Sequence, residues 1–324
     1  MLQEAIFKIT TDSEFDRVAL QVFEYQFKHC QPYRDFCQYL GKTPLNVTNV
    51  ATIPFMPIEL FRSHKVLSDA HTEQIIFGSS GTTATTTSKH FVANIELYKQ
   101  SFVQGFEAIY GATKKLAVIG LLPSYLERED SSLVFMVNHL IKESKHSLSG
   151  FYLDDNAKLN QTLAQLEAAA QPFVLFGVTF ALLDFIEAFP QQLQHGAVIE
   201  TGGMKGMRKE LIREELHAIL SKGFGLDDIH SEYGMTELLS QAYATSKGIF
   251  HTPPWMRVLT RELNDPLTYV SGKTGGVSII DLANLYSCSF IATQDLGKKI
   301  SPKSFEILGR FDHSDLRGCN LMVL

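Results

Sequence analysis

Residues 77–89 read Phe77-Gly78-Ser79-Ser80-Gly81-Thr82-Thr83-Ala84-Thr85-Thr86-Thr87-Ser88-Lys89. The apolar run Gln74-Ile75-Ile76-Phe77 leads into them, so the pattern is a strand feeding a loop of glycines and hydroxyls closed by a lysine. Glycine lets backbone N–H groups approach a polyphosphate closely. The hydroxyls of Ser79, Ser80, Thr82, Thr83 and Thr85 can donate to phosphate oxygens, and Lys89 adds a mobile cation. The spacing is not Gly-x-x-x-x-Gly-Lys-Ser/Thr, so this is not the usual P-loop. On composition alone the same run also reads as a surface loop.

The rest of the chain narrows the choice. Its 324 residues suffice for one large domain or two smaller ones, and for a sizeable core. Apolar residues make up 45% and charged residues 20%, as in ordinary globular proteins. A net charge of −6, with scattered Lys and Arg, provides no field for nucleic acid. An anionic ligand must therefore be held by local groups. The N-terminal stretch has an early acid, Glu4, and no long apolar run, unlike a signal peptide. The longest apolar stretch, Phe173 to Leu183, is too short to span a bilayer. Cys30, Cys37, Cys288 and Cys319 fit neither a disulfide framework nor a zinc site, which predicts free thiols and a cytoplasmic protein.

The pattern of residues 13–31 predicts a helix capped by Ser13 with Asp16 and ended by Pro32. A second helix follows from Tyr33 to Leu40. The proline-rich Ile53–Ile58 reads as an extended segment. From residue 74 onward, strand-like runs at Leu116–Leu122, Phe173–Phe176, Ala197–Glu200 and Ile229–Glu232 alternate with helical patterns. The helices fall at Glu96–Tyr110, Ser131–Lys142, Ala157–Ala169, Thr179–Phe189 and Met207–Leu220. This alternation predicts a mainly parallel sheet covered by helices. After residue 250, short runs at Arg257–Thr260, Thr268–Val270, Gly276–Asp281, Ser289–Thr293 and Phe305–Leu308 predict an antiparallel β subdomain or partial barrel.

Two further segments bear on the loop: Ser231-Glu232-Tyr233-Gly234-Met235-Thr236-Glu237, and Thr293-Gln294-Asp295-Leu296-Gly297 followed by Phe305-Glu306-Ile307-Leu308-Gly309-Arg310-Phe311-Asp312. Together, and in this order, the three resemble the adenylate-forming enzymes: acyl-CoA synthetases, luciferase-type ligases and their relatives. Finer segments are similar to one branch, the acyl-protein synthetases of bacterial fatty acid reductase (bioluminescence) systems. They are Ile53–Phe61, Leu122-Pro123-Ser124-Tyr125-Leu126-Glu127-Arg128, Gly202-Gly203-Met204-Lys205 and Leu316-Arg317-Gly318-Cys319-Asn320-Leu321. The resemblance covers roughly residues 50 to 324. It implies an α/β fold: a large adenylate-forming catalytic domain over 1–309, with 1–50 its helical N-terminal part, and a short tail over 310–324.

The resemblance also implies chemistry. ATP and a carboxylic acid, expected to be a fatty acid, would give an acyl-adenylate, and the acyl group would then pass to a thiol. Ser79, Ser80, Gly81, Thr82, Thr83 and Lys89 would hold the β- and γ-phosphates, where charge-assisted hydrogen bonds of roughly 1.5–3 kcal/mol each offset the net charge. Glu237 would bind Mg²⁺. Thr236 would donate to the α-phosphate. Tyr233 would stack on adenine, with Gly234 and the Gly202-Gly203 backbone close by. Asp295 would accept from the ribose hydroxyls, and Arg310 would reach the ribose or α-phosphate. Cys319 would be the acyl acceptor on the enzyme itself. Phe176-Gly177-Val178-Thr179-Phe180 would border the carboxylate site, its phenylalanines suggesting an apolar slot, and His251 is a further candidate lining residue.

The sequence also departs from the pattern. Typical relatives carry a further mobile domain, with a lysine for the α-phosphate, after the Gly-Arg-x-Asp hinge. Here the given sequence runs on from Arg310 only to Leu324, so that domain is expected to be absent or reduced. A cation is still wanted where the transition state gathers negative charge. Arg310, Lys205 and Lys89 are the unranked candidates. Two alternatives stay open: a ligase using CoA or a carrier-protein thiol, and an inactive nucleotide-binding subunit. The expected partners are an acyl reductase, a transferase or an acyl carrier, with no nucleic acid and no membrane span.

Overall fold

The computed structural model describes residues 2–79, 87–122, 129–153, 155–202 and 211–310. The N-terminal elements are α1 (Leu2–Phe7), α2 (Asp12–His29), α3 (Gln31–Tyr39), β1 (Met56–Pro57), α4 (Leu60–Ser63), β2 (Ile75–Gly78) and β3 (Lys89–Val92). The middle of the chain gives α5 (Ile95–Tyr110), β4 (Ala117–Leu121), α6 (Ser132–Ser144), β5 (Gly150–Phe151), α7 (Asn156–Ala168), β6 (Phe173–Gly177), α8 (Thr179–Ala188), β7 (Gly196–Glu200), α9 (Arg213–Phe224) and β8 (His230–Tyr233). The remainder is β9 (Ala242–Ala244), β10 (Ile249–His251), β11 (Met256–Arg261), β12 (Tyr269–Val270), β13 (Thr274–Asp281), β14 (Phe290–Ser301) and β15 (Ser304–Arg310).

Helix starts follow side-chain capping. Asn94 accepts from the backbone N–H groups of Glu96 and Leu97, Ser131 from Val134, and Asp155 from Lys158. For α2 the cap differs from the sequence expectation. Thr11, not Ser13, accepts from Glu14 N–H, and Glu14 returns the bond. Asp16 instead pairs with Arg257 Nη1 at 2.6 Å. Pro32 does not end α2 but sits in the first turn of α3, where its missing N–H costs nothing. Among the described residues, the helix expected at Met207–Leu220 runs from Arg213 to Phe224 and stops at left-handed Gly225.

Twelve strands form one path in the order β12-β11-β13-β14-β15-β10-β9-β8-β7-β6-β4-β5, with β1 pairing beside β14. From β8 to β5 the neighbours run parallel, and from β8 to β12 antiparallel. The expected antiparallel part is therefore present, but it is hydrogen-bonded edge to edge onto the parallel part in one mixed sheet. β2 and β3 form a separate hairpin.

The parallel strands are buried on both faces, and alternate residues face opposite sides. Val118, Leu122, Val174, Phe176 and Ile199 join the core that includes α2, α5 and α6. Ala117, Ile119, Leu121, Phe173, Leu175 and Val198 join the core beneath α7, α8 and α9. The described cysteines, Cys30, Cys37 and Cys288, are free and buried. No helix among the described residues is long and apolar enough to cross a membrane.

Candidate active site

A cleft of about 610 Å³ opens where the parallel strands end. Leu122 follows β4, Val178 follows β6, Thr201 and Gly202 follow β7, and Gly234 follows β8, and all of them line it. The carboxyl ends of parallel strands are where open α/β sheets place ligands. The β2–β3 hairpin contributes Gly78, Ser79 and Ser88, α4 contributes Arg62, and β14 and β15 contribute Thr293, Asp295 and Arg310. The site therefore draws on segments far apart in the chain.

The strand ends are fixed by a buried acid. Glu200 Oε1 accepts from the Thr179 hydroxyl at 2.8 Å and from Gly202 N–H at 2.6 Å. Gly202 has φ +75°, a conformation glycine adopts without strain. At the hairpin mouth, Ser79 N–H donates to the Ser88 carbonyl and Ser88 N–H donates to Ser79 Oγ, both at 3.0 Å.

The segment after β8, Gly234 to Gln241, is pinned from below. Asp281 accepts four bonds: at Oδ2 from Leu239 N–H (2.8 Å) and Ser240 N–H (2.9 Å), and at Oδ1 from the Ser240 hydroxyl (2.5 Å) and Ala283 N–H (3.1 Å). Asn284 Nδ2 donates to the Glu237 carbonyl at 2.7 Å. His90 Nδ1 lies 2.8 Å from the Thr236 carbonyl, so that nitrogen must carry the proton, and Nε2 then accepts from the Ser287 hydroxyl at 2.9 Å. Burial pushes the His90 pKa down to about 4, keeping the ring neutral in this role. Burial also lifts Asp281 to about 6, against the hydrogen bonds that favour its charge.

This platform presents Thr236 and Glu237 to the cleft. Glu237 is 7% exposed, and burial raises its pKa, offset in part by the Ser88 hydroxyl and the charges of Arg310 and Arg62. A buried carboxylate on the cleft wall suits a hard divalent ion that takes its remaining ligands from phosphates and water. Among the described residues no cluster of three His, Cys, Asp or Glu forms a closed metal cage. Asp295, 4% exposed, accepts from the Tyr233 hydroxyl at 2.6 Å and from Arg310 Nε at 3.0 Å, its register partner across β14 and β15.

Tyr233 is placed differently from the sequence expectation. It is not among the cleft-lining residues. Its ring meets Phe250 and Phe305, with centroids 5.7 and 5.3 Å away, and its hydroxyl orients Asp295. Lys89 begins β3 with an exposed side chain and is also absent from the lining, as is His251 on β10. Ser80, Gly81, Thr82, Thr83, Gly203, Lys205 and Cys319 lie outside the described residues.

A family model described as acyl-protein synthetase, LuxE, matches residues 8–324. The chain belongs to the acyl-protein synthetase family. The long-chain-fatty-acid–luciferin-component ligase of Photorhabdus luminescens is 36% identical over 67 residues, which are 20% of this chain and 57% of that relative. Among solved structures, an open conformation of 2-hydroxyisobutyryl-CoA ligase superposes with TM-score 0.63 at 12% identity, covering 94% of this chain and 72% of that one. ATP-bound MatB from Rhodopseudomonas palustris gives TM-score 0.55 at 18% identity, covering 72% of this chain and 47% of its own. These likenesses establish that the chain has the fold of the adenylate-forming ligases, as its sequence led us to expect.

Some of the site escaped the sequence reading. Arg62, Glu232 and Gln241 line the cleft, and His90, Asp281 and Asn284 hold its floor. Glu232 and Gln241 flank the Tyr-Gly-x-Thr-Glu segment, so their proximity to it was a usable signal. Burial and the charge of Glu200 push the Glu232 pKa up to about 8.

Proposed function

We propose that this acyl-protein synthetase family member activates a carboxylic acid with ATP and passes the acyl group to a thiol, Cys319. The observation that carries the proposal is the convergence of Ser79, Thr236, Glu237, Asp295 and Arg310 on one cleft. In the first step a carboxylate oxygen of the acid attacks the α-phosphorus, an O–P bond forms, and pyrophosphate leaves. In the second a thiolate attacks the acyl carbonyl and AMP leaves.

Asp295, held by Tyr233 and Arg310, would accept from both ribose hydroxyls. Thr236, on its pinned backbone, would donate to the α-phosphate. The hairpin, with Ser79 and the Ser80, Gly81, Thr82 and Thr83 loop, would hold the phosphates that leave. Glu237 would hold Mg²⁺, which when bound neutralises phosphate charge. Arg62 and Arg310 are the described cations in the cleft, and Lys205 remains a candidate beside them. Stabilisation of charge that develops during reaction is where such groups act most strongly.

The described thiols are poor acceptors. Burial pushes Cys30 up to about 11 and Cys37 up to about 12, and raises Cys288 as well. Thiolate is the reactive form, so these three thiols do not compete with Cys319, the acceptor that the family resemblance implies. The catalytic domain is assigned to 1–309 and the acceptor tail to 310–324; β15 runs one residue into that tail. A reductase or transferase that accepts the acyl thioester fits as partner. The fatty acid class is supported by the Photorhabdus relative, a long-chain-fatty-acid ligase.

The test is acid-dependent exchange of labelled pyrophosphate into ATP, coupled to intact-mass detection of the acylated chain. Exchange should require the right acid, and Asp295→Asn and Glu237→Gln should each lower it by about 10²-fold. Cys319→Ser should keep exchange and lose the covalent acyl mass. Unchanged labelling in Cys319→Ser would remove that thiol from its role, and absence of exchange across a broad acid panel would remove the adenylation step.

A further inference from the structure

The lining of the cleft is not uniformly apolar. Leu133, Met136, Val178 and Phe180 provide the lining an alkyl chain needs. Glu232 and Gln241 share that lining. The two side chains meet at Gly234: a Cβ there would lie 2.3 Å from Glu232 Oε1 and 3.4 Å from Gln241 Cγ. Glycine at 234 is thus what leaves room for the acid.

The Gln241 amide reaches the Tyr98 side chain, but its oxygen is left over. Gln241 is 6% exposed, and its side-chain oxygen accepts no hydrogen bond. Glu232 has only burial and the neighbouring Glu200 acting on its carboxyl, and both favour its neutral form. A buried acceptor left without a donor is costly, and a plain alkyl chain laid over Gln241 and Glu232 would seal that cost in. A donor on the ligand would remove it.

We propose that the cleft is built for a carboxylic acid whose chain carries a hydrogen-bond donor, a hydroxyl or amino group, that docks on the Gln241 side-chain oxygen and the Glu232 carboxyl. The proposal rests on the acyl-activating reading above and specifies its substrate class. Sites that hydrogen-bond a substrate group discriminate strongly against the analogue lacking it, because the site's own polar atoms are then stranded. Glu232 and Gln241 are specificity residues in this account.

The experiment uses the full chain and three length-matched series of acids: unsubstituted, hydroxylated and amino-substituted. Binding is read by calorimetry and activation by pyrophosphate exchange. The wild type should bind one substituted series at least about tenfold tighter than the unsubstituted one, and the better of the two identifies the donor. Gln241→Met and Glu232→Met should lose that preference and gain affinity for unsubstituted acids, while Glu232→Gln, which keeps a polar group, should retain it. Equal or tighter binding of unsubstituted acids by the wild type would overturn the proposal, as would a preference that survives both methionine variants. A binding preference without exchange for any acid would sink the adenylation reading and support this one. Efficient exchange confined to unsubstituted acids would do the reverse.

Discussion

Glu232 places a measurable sign on the pH dependence of stability. Its pKa rises from 4.5 to about 8 on folding, so the folded chain keeps a proton that the unfolded chain releases. Stability therefore falls as pH rises through that window. Asp281, raised from 3.8 to about 6, acts in the same sense but is exhausted above its folded value. His90, lowered from 6.5 to about 4, acts oppositely and loses stability as pH falls through its window. The span from pH 6.5 to 8 thus isolates Glu232 from these two. Urea unfolding across it should show the wild type losing stability with rising pH and Glu232→Gln losing clearly less. Parallel slopes would show that the carboxyl ionises freely in the fold. Its place directly before Tyr233 was the one sequence signal for Glu232; its environment depends on strands that pair with β8 from elsewhere. Thr236, Glu237 and Asp295 were legible because a short run of neighbours carries their signal.

The segment between β8 and β9 shows how a functional loop is held still. Its clamps come from distant positions: Asp281 from the end of β13, Asn284 just beyond it, and His90 from β3, which lies 146 residues from Thr236. No local pattern predicts such bonds, so the sequence identified the loop but not what fixes it. Asp281→Ala would strand four buried donors and is expected to cost roughly 3 kcal/mol or more, with a raised KM for ATP. Asp281→Asn, which keeps acceptor capacity at one oxygen, should cost less. Urea unfolding and exchange kinetics on the two variants check this ordering, and equal costs would contradict it. The misplaced cap of α2 has a local cause. Thr11 and Ser13 both suit the cap position, and Glu14 settles it by returning a bond to the Thr11 backbone at 3.1 Å.

Strand–helix alternation made the parallel half of the sheet readable, since every expected strand there falls within a residue or two of its observed place. The antiparallel half was seen as a series of strands but not as a continuation of the same sheet. That continuity depends on the short step from β8 to β9, Tyr233 pairing with Ala242, and on the long-range pair of Phe250 with Phe305. It also matters for function. One rigid sheet carries Gly234 on its parallel side and Asp295 with Arg310 on its antiparallel side, so two halves of a ligand can be gripped by one framework. The account accordingly predicts a single mode for a hydrolysis-resistant acyl-adenylate mimic. A crystal structure of the chain with an acyl-sulfamoyl adenosine should place both ribose hydroxyls about 3 Å from the Asp295 carboxylate, with the sulfamoyl group at Thr236 and the acyl chain toward Glu232. A mimic bound outside this cleft, or seated in it with the sugar away from Asp295, would contradict the account.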